Sequence, residues 1–151
     1  MPSIETEFLF DIQLELGGFH FIGNTPYGDR RVGFVGGGTF EGPKLKGIIH
    51  GGSDWLLVRG DGSTQLDVRL VLETDDHEKF CLSYPGLRVG DQEVLDRHVN
   101  GDAIDVSEYY FRTSMKFETG PGPYDWLNRI LAIGIGYRSE TGPAYHVHQI
   151  L

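Results

Sequence analysis

The chain has 151 residues, 22 acidic against 13 basic side chains, and a formal net charge of −9. That length fits one domain, residues 1–151, able to bury most of its own surface, and the acidic balance argues against nucleic-acid binding, which needs basic groups for phosphate. No apolar run approaches a membrane span, the opening MPSIETEFLF carries two acids and no basic start of a signal peptide, and the lone Cys81 excludes an internal disulfide, so a cytoplasmic location with no membrane partner is expected.

Residues 7–16 alternate. Phe8, Phe10, Ile12, Leu14 and Leu16 share one face, against Glu7, Leu9, Asp11, Gln13 and Glu15. This predicts a long strand with one wet face. Gly17-Gly18 bends it, and residues 19–22 continue it or pair back. Short strands are predicted over 30–35, 45–50 and 55–58, punctuated by Gly36-Gly37-Gly38 and Gly51-Gly52. Gly60-Asp61-Gly62-Ser63 reads as a hairpin turn. Residues 64–74 alternate again, with Leu66, Val68, Leu70 and Leu72 opposite Asp67, Arg69, Val71 and Glu73. After the turn at Asp75-Asp76-His77-Glu78, a strand over 79–84 returns.

Residues 85–106 carry the weakest pattern. They read as a long loop with one helical turn near 93–97, and a loop of that length is often a lid. The most regular stretch follows. Tyr109, Phe111, Thr113, Met115 and Phe117 point one way, and Tyr110, Arg112, Ser114, Lys116 and Glu118 the other. Gly120-Pro121-Gly122-Pro123 ends this strand. Residues 124–129 then predict one short helical turn, an aromatic lid over the end of a sheet. Strands over 130–137 and 144–151 finish the chain. Eight to ten antiparallel strands with almost no helix predict an all-β fold. A single closed up-and-down β-barrel is favoured, because closure leaves no exposed edge.

Several pieces appear in a familiar order: Gly36 to Pro43, Gly51-Gly52-Ser53-Asp54-Trp55, Leu66-Asp67-Val68-Arg69, Tyr110-Phe111-Arg112-Thr113, Phe117-Glu118-Thr119 and Tyr124-Asp125-Trp126-Leu127-Asn128-Arg129. The set resembles the bacterial and fungal family known as domain of unknown function 3237, over roughly residues 7 to 150. The resemblance implies a small antiparallel barrel similar in shape to calycins and allene oxide cyclases. Some fungal members stand beside natural-product pathways, which implies acid–base work on small aromatic or polyketide-like molecules. Two features depart from the family's habit. Asp75-Asp76-His77-Glu78 stands where Asp-Gly is usual, and His146 and His148 polarise the last strand.

Asp54, beside Trp55 at a strand start, is either a general base against an aromatic wall or a turn carboxylate beside a core indole. Asp67 with Arg69, and Arg112 with Glu118, form a polar pocket lining if their face is the lumen and a solvated surface if it is not. Arg69 or Arg112 with Tyr110 would hold a developing oxyanion. Arg112→Leu then costs at least about tenfold in binding or turnover. Trp55, Tyr84, Tyr124 and Trp126 would shape the pocket, with Asn128 in the lid. His146 and His148 share a face at the spacing of paired zinc ligands, but neither His20 nor His50 is fixed by sequence as a third, so no metal and no cofactor is expected.

The leading reading is a cofactor-independent acid–base enzyme. It would catalyse isomerisation, cyclisation or Michael-type addition on a small apolar carbonyl-bearing molecule in the barrel. A lipocalin-like carrier is the alternative, and a metal-assisted hydrolase or lyase the third. Large apolar groups on both strand faces, such as Leu9 opposite Phe8 and Phe10, also predict a homodimer.

Overall fold

The computed structural model describes all of residues 1–151. Its strands are β1 (Thr6–Thr25), β2 (Gly28–Glu41), β3 (Lys46–Val58), β4 (Thr64–Thr74), β5 (Lys79–Val89), β6 (Tyr110–Thr119), β7 (Leu131–Arg138) and β8 (Pro143–Ile150). Each pairs antiparallel with the next, and β8 pairs back onto β1, so the barrel closes. Helix α1 (Gln92–Val99) and two 3-10 turns, Val106–Glu108 and Asp125–Arg129, complete the chain. No helix is long and apolar enough to cross a membrane.

Eight strands fall within the expected eight to ten, but β1, β2, β3 and β5 are longer than the alternation predicts, because glycines bend them instead of ending them. Gly38 and Gly51 lie at φ +141° and +143°, which an L side chain rarely adopts, and a Cβ on Gly38 would collide with the Gln13 carbonyl of β1. β2 and β3 are therefore each one continuous strand. β5 likewise runs through Pro85-Gly86. The missing N–H falls where the β5–β6 ladder skips from Ser83–Lys116 to Gly86–Thr113. His77 takes φ +68° in the β4–β5 turn, a left-handed position that glycine adopts at no steric cost.

Bulges also reset which side chains face inward. The β1–β8 register shifts between Phe8 and Phe10, so Leu9 is 1% exposed and Phe8 is 39% exposed. The two had been expected on the opposite faces. Leu9 therefore does not belong to the outward apolar surplus, which instead includes Phe34 and Trp55.

Inside, Leu66, Val68, Leu70 and Leu72 of β4 and Phe111, Met115 and Phe117 of β6 form one core with the inward residues of the other strands. One end is plugged. Phe10, Phe40, Phe80 and Phe117 form a ring of tilted and edge-on contacts with centroids 5.5–6.1 Å apart. The turn Asp125–Arg129 caps this end by burying Leu127. The opposite end, where β1, β3, β5 and β7 finish, is covered by α1, by the segment after it through Ile104, which pairs with Arg138, and by the tip of the β1–β2 hairpin. α1 sets Leu95 and His98 against the barrel. Its Arg97 is held by Glu108 at 2.6 Å.

Candidate functional site

A cavity of about 200 Å³ opens at that second end. Leu16, Phe19, Phe21, Leu56, Val58 and Val99 form its apolar wall, and Arg31, Asp54, Thr64, Arg88, His98 and Arg138 its polar wall. Seven of the eight strands, all but β6, and α1 contribute to this lining.

The register of β3 explains why Asp54 faces inward. Ile49 is buried, and simple alternation from it would turn Trp55 inward. A shift between Ile49 and Gly51 against β4 inverts the alternation, so Asp54 is 4% exposed and Trp55 is 50% exposed. On β5, alternation from Phe80, Leu82 and Tyr84 continues past Pro85 and brings Arg88 inside at 5% exposed. Tyr145 of β8 and Thr113 and Phe111 of β6 complete the wall behind the cavity. Tyr84 and Phe111 each meet Tyr145 edge-on at 5.3 Å. The Arg88 guanidinium lies 5.3 Å from the Phe111 centroid. His98 Nδ1 and the Tyr109 hydroxyl share a hydrogen bond of 2.9 Å.

This region is short of partners. Asp54 Oδ1, Tyr84 Oη, Arg88 Nε, Thr113 Oγ1, Tyr145 Oη and, at the mouth, Arg138 Nε are buried without a hydrogen bond. The Tyr84 and Tyr145 hydroxyls face each other without closing one of good geometry. Buried polar groups are paired in the great majority of cases, and each exception costs about 1–3 kcal/mol. Asp54, Arg88 and Arg138, with Arg31 whose Nε is likewise unpartnered, line the cavity itself, and such a cluster marks a place kept for something other than stability.

Electrostatics follow from burial. Loss of solvation raises the Asp54 carboxyl to about 7, against the opposing pull of Arg88 and with a smaller push from Asp67. Burial, with repulsion from Arg88 and Arg138, drops His98 to about 2, so it is a neutral imidazole. Burial also raises Tyr109 to about 12, raises Tyr84 and Tyr145 further, and lowers Arg88 and Arg138. A carboxyl that gains and loses its proton near neutrality can serve as acid or base.

The residues expected from sequence divide into three places. Asp54 lines the cavity, while Tyr84 is buried in the core behind it against Tyr145. Trp55, Asp67, Arg69, Tyr110, Arg112, Glu118, His146 and His148 lie on the outward face, which corrects the expectation that the polar face lines the lumen. Water solvates these charges at little cost, whereas the lumen would strip it away. Arg112 Nη1 donates to the Phe111 carbonyl at 3.0 Å, and its guanidinium covers the Tyr110 ring. His146 Nδ1 stands 2.5 Å from Asp11 Oδ1 and stacks on Tyr137, while His148 meets Phe8 edge-on. His50 bonds Glu73 and His20 lies against Phe34. No three His, Cys, Asp or Glu side chains are grouped to hold a metal ion.

Tyr124, Trp126 and Asn128 lie at the plugged end, so residues 124–129 are not a lid over the cavity. Tyr124 donates to Asp76, Lys44 covers Trp126, and Asn128 bonds the Thr119 N–H and carbonyl at 2.9 Å each. The covering element is instead α1, in the stretch read as a long loop. Because Arg112 is outside, Arg112→Leu is now expected to leave binding in the chamber within about twofold of the parent. A tenfold loss in titration calorimetry would restore the lumenal assignment.

Sequence reading missed Arg88, Arg138, His98, Tyr145 and Thr113. Two of them carried a usable signal. Thr113 shares the alternation of Phe111 and Met115, and Tyr145 that of Val147.

The fold and chamber together define a small closed antiparallel barrel with an internal polar cavity at one end. The chain belongs to the family described as Protein of unknown function (DUF3237), whose model matches residues 4–150, so the resemblance read from its motifs is borne out. The crystal structure of a conserved protein of unknown function from Rhodopseudomonas palustris superposes with a TM-score of 0.93 at 31% identity, covering 100% of both chains. A beta-barrel-like protein from Acinetobacter baumannii superposes at 0.85 with 35% identity, covering 100% of this chain and 98% of that one. A protein described as an enzyme from Penicillium herquei matches at 0.75 over 100% and 98% of the chains, and at 20% identity that likeness is one of fold.

Proposed function

We propose that this barrel is an acid–base enzyme for a small, apolar, carbonyl-bearing molecule, with Asp54 as the group that moves the proton. The observation that carries the reading is Asp54 itself. It is 4% exposed, has an unpartnered oxygen, is raised to about 7, and shares one cavity wall with Arg88. The Asp54 carboxylate would take a proton from the carbon beside the carbonyl. The C–H electron pair would become the carbon–carbon double bond of the enolate, the carbonyl π pair would move onto oxygen, and the Arg88 guanidinium would stabilise that oxyanion. Collapse of the enolate, with the proton returned from Asp54 to carbon or oxygen, would give an isomerised, cyclised or conjugate-addition product without a redox change. Phe19, Phe21, Leu56 and Val99 would hold the apolar body. The description of the Penicillium herquei relative as an enzyme supports catalysis on this fold.

The first step is testable without knowing the natural substrate. Deuterium exchange at the α-carbon of 2-tetralone in D2O, followed by proton NMR, is expected to run at least about tenfold faster with the protein than in buffer. Asp54→Asn is expected to return it to the buffer rate. Equal exchange by parent and variant would leave the lipocalin-like carrier as the better reading.

A further inference from the structure

Three guanidiniums, of Arg31, Arg88 and Arg138, line the cavity, against one carboxyl. This concentration of positive charge stands out in a chain whose net charge is −9. Arg31 is matched, because Asp29 holds it at 3.0 Å. Arg88 and Arg138 are not. The buried Nε of each has no hydrogen-bond partner, as is also true of Arg31 Nε, and neither Arg88 nor Arg138 forms an ion pair such as the one Arg31 makes with Asp29. Arg88 feels the charge of Arg138, and both repel a proton from His98. Arg88 is buried and Arg138 half-buried, and two like charges lining one such cavity, with the imidazole beside them neutral, are costly unless an anion completes the group. The guanidinium fork suits a planar oxyanion such as a carboxylate, and it cannot shed its charge as a lysine can.

We propose that the ligand of this chamber is an anion, an apolar small molecule bearing a carboxylate or an equivalent enolate oxygen, held between Arg88 and Arg138. Its apolar body lies against Phe19, Phe21 and Leu56, where the cavity wall is hydrocarbon. This names the substrate class for the acid–base reading above and rests on the same chamber. It does not rest on Asp54 acting as a base. Such an anion would supply the partner that Arg88 and Arg138 lack. Their field is complementary to a charge that arrives with the ligand.

The test uses matched pairs of probes, benzoate with benzamide and 1-naphthoate with 1-naphthamide, titrated calorimetrically into the full chain at about pH 6. The carboxylate of at least one pair is expected to bind at least about tenfold tighter than its amide. In the double variant Arg88→Met, Arg138→Met that preference is expected to fall to about one, with amide binding little changed. A thermal melt confirms that the variant is folded, and removing two unmatched charges is expected not to lower it. Asp54→Asn separates the two claims. If it abolishes 2-tetralone exchange but keeps the carboxylate preference, both stand. If it leaves exchange unchanged while the preference persists, the catalytic reading falls and the anion site remains. Equal binding of acid and amide by the parent overturns the anion site, as does a preference that survives the double variant. Failure of all four probes to bind at millimolar concentration overturns it too.

Discussion

Asp54→Asn is expected to stabilise the protein at pH 8 while removing its acid–base function. The carboxyl is raised from its ordinary 3.8 to about 7, chiefly by burial. Below about pH 4 the group is protonated in both the folded and unfolded chain and the rise has no effect on stability. Between about pH 4 and 7 the unfolded chain releases the proton while the folded chain keeps it, so stability falls as pH rises. Above about pH 7 the loss is complete. A rise of this size corresponds to about 4 kcal/mol at most. The asparagine removes this pH dependence. The stability of the variant relative to the parent is therefore expected to grow by up to about 4 kcal/mol from pH 4 to pH 8. The amide it introduces also lacks a partner and offsets part of the gain, by about 1–3 kcal/mol. His98 works in the opposite direction. Held near 2, it stays neutral in the fold while the unfolded chain takes up a proton below about 6.5, so it weakens the protein as the medium becomes acid. That contribution is common to parent and variant and cancels in the difference. Urea melts across this pH range measure the difference directly, and a flat difference would mean that Asp54 titrates normally.

Phe40→Ala is expected to cost about 3–5 kcal/mol of stability and leave the chamber intact. Phe40 is 2% exposed and touches Phe10 and Phe80 in the ring that plugs the far end of the barrel. A rigid closed sheet leaves little scope for collapse into the void, which places the cost toward the upper part of the range. Urea denaturation gives the stability, and calorimetry with 1-naphthoate checks the other end. Loss of binding in a variant that remains folded would show that the two ends are not independent.

The division of the barrel into a plug and a chamber depends on contacts distant in sequence. β4 and the body of β6 were legible because their alternation is unbroken. Leu66 to Leu72 and Phe111 to Phe117 fall inside as the pattern requires, and the bounds of β4 coincide with the predicted 64–74. Leu9 and Asp54 were harder for one shared reason. A bulge adds a residue to one strand of a pair, so it shows only when the partner's register is known. Around Asp54 the sequence offers only Gly51-Gly52, which is compatible with a bend, a bulge or an end. Pro85-Gly86 hid Arg88 in the same way, since a proline inside a paired strand normally argues for its end. Arg112 was drawn inward by its place in the middle of a long regular strand, yet its face is the solvated one. The arginine inside the barrel stands instead on β5, beyond the proline. The exchange of lids has a topological cause. Residues 124–129 follow the lower end of β6 and α1 follows the upper end of β5, so the two segments lie at opposite mouths of the barrel.

The central claim is that Asp54 is a buried carboxyl poised near neutrality beside an anion-ready pair of arginines. Carbon-13 NMR of the aspartate side-chain carboxyls, titrated between about pH 3 and pH 9, tests it most directly. The account predicts one aspartate resonance with a midpoint near 7. That resonance should be absent in Asp54→Asn and should shift to a higher midpoint when 1-naphthoate is bound, because a second negative charge beside the carboxyl disfavours its ionisation. A midpoint near 4 for the resonance that Asp54→Asn removes would contradict the account.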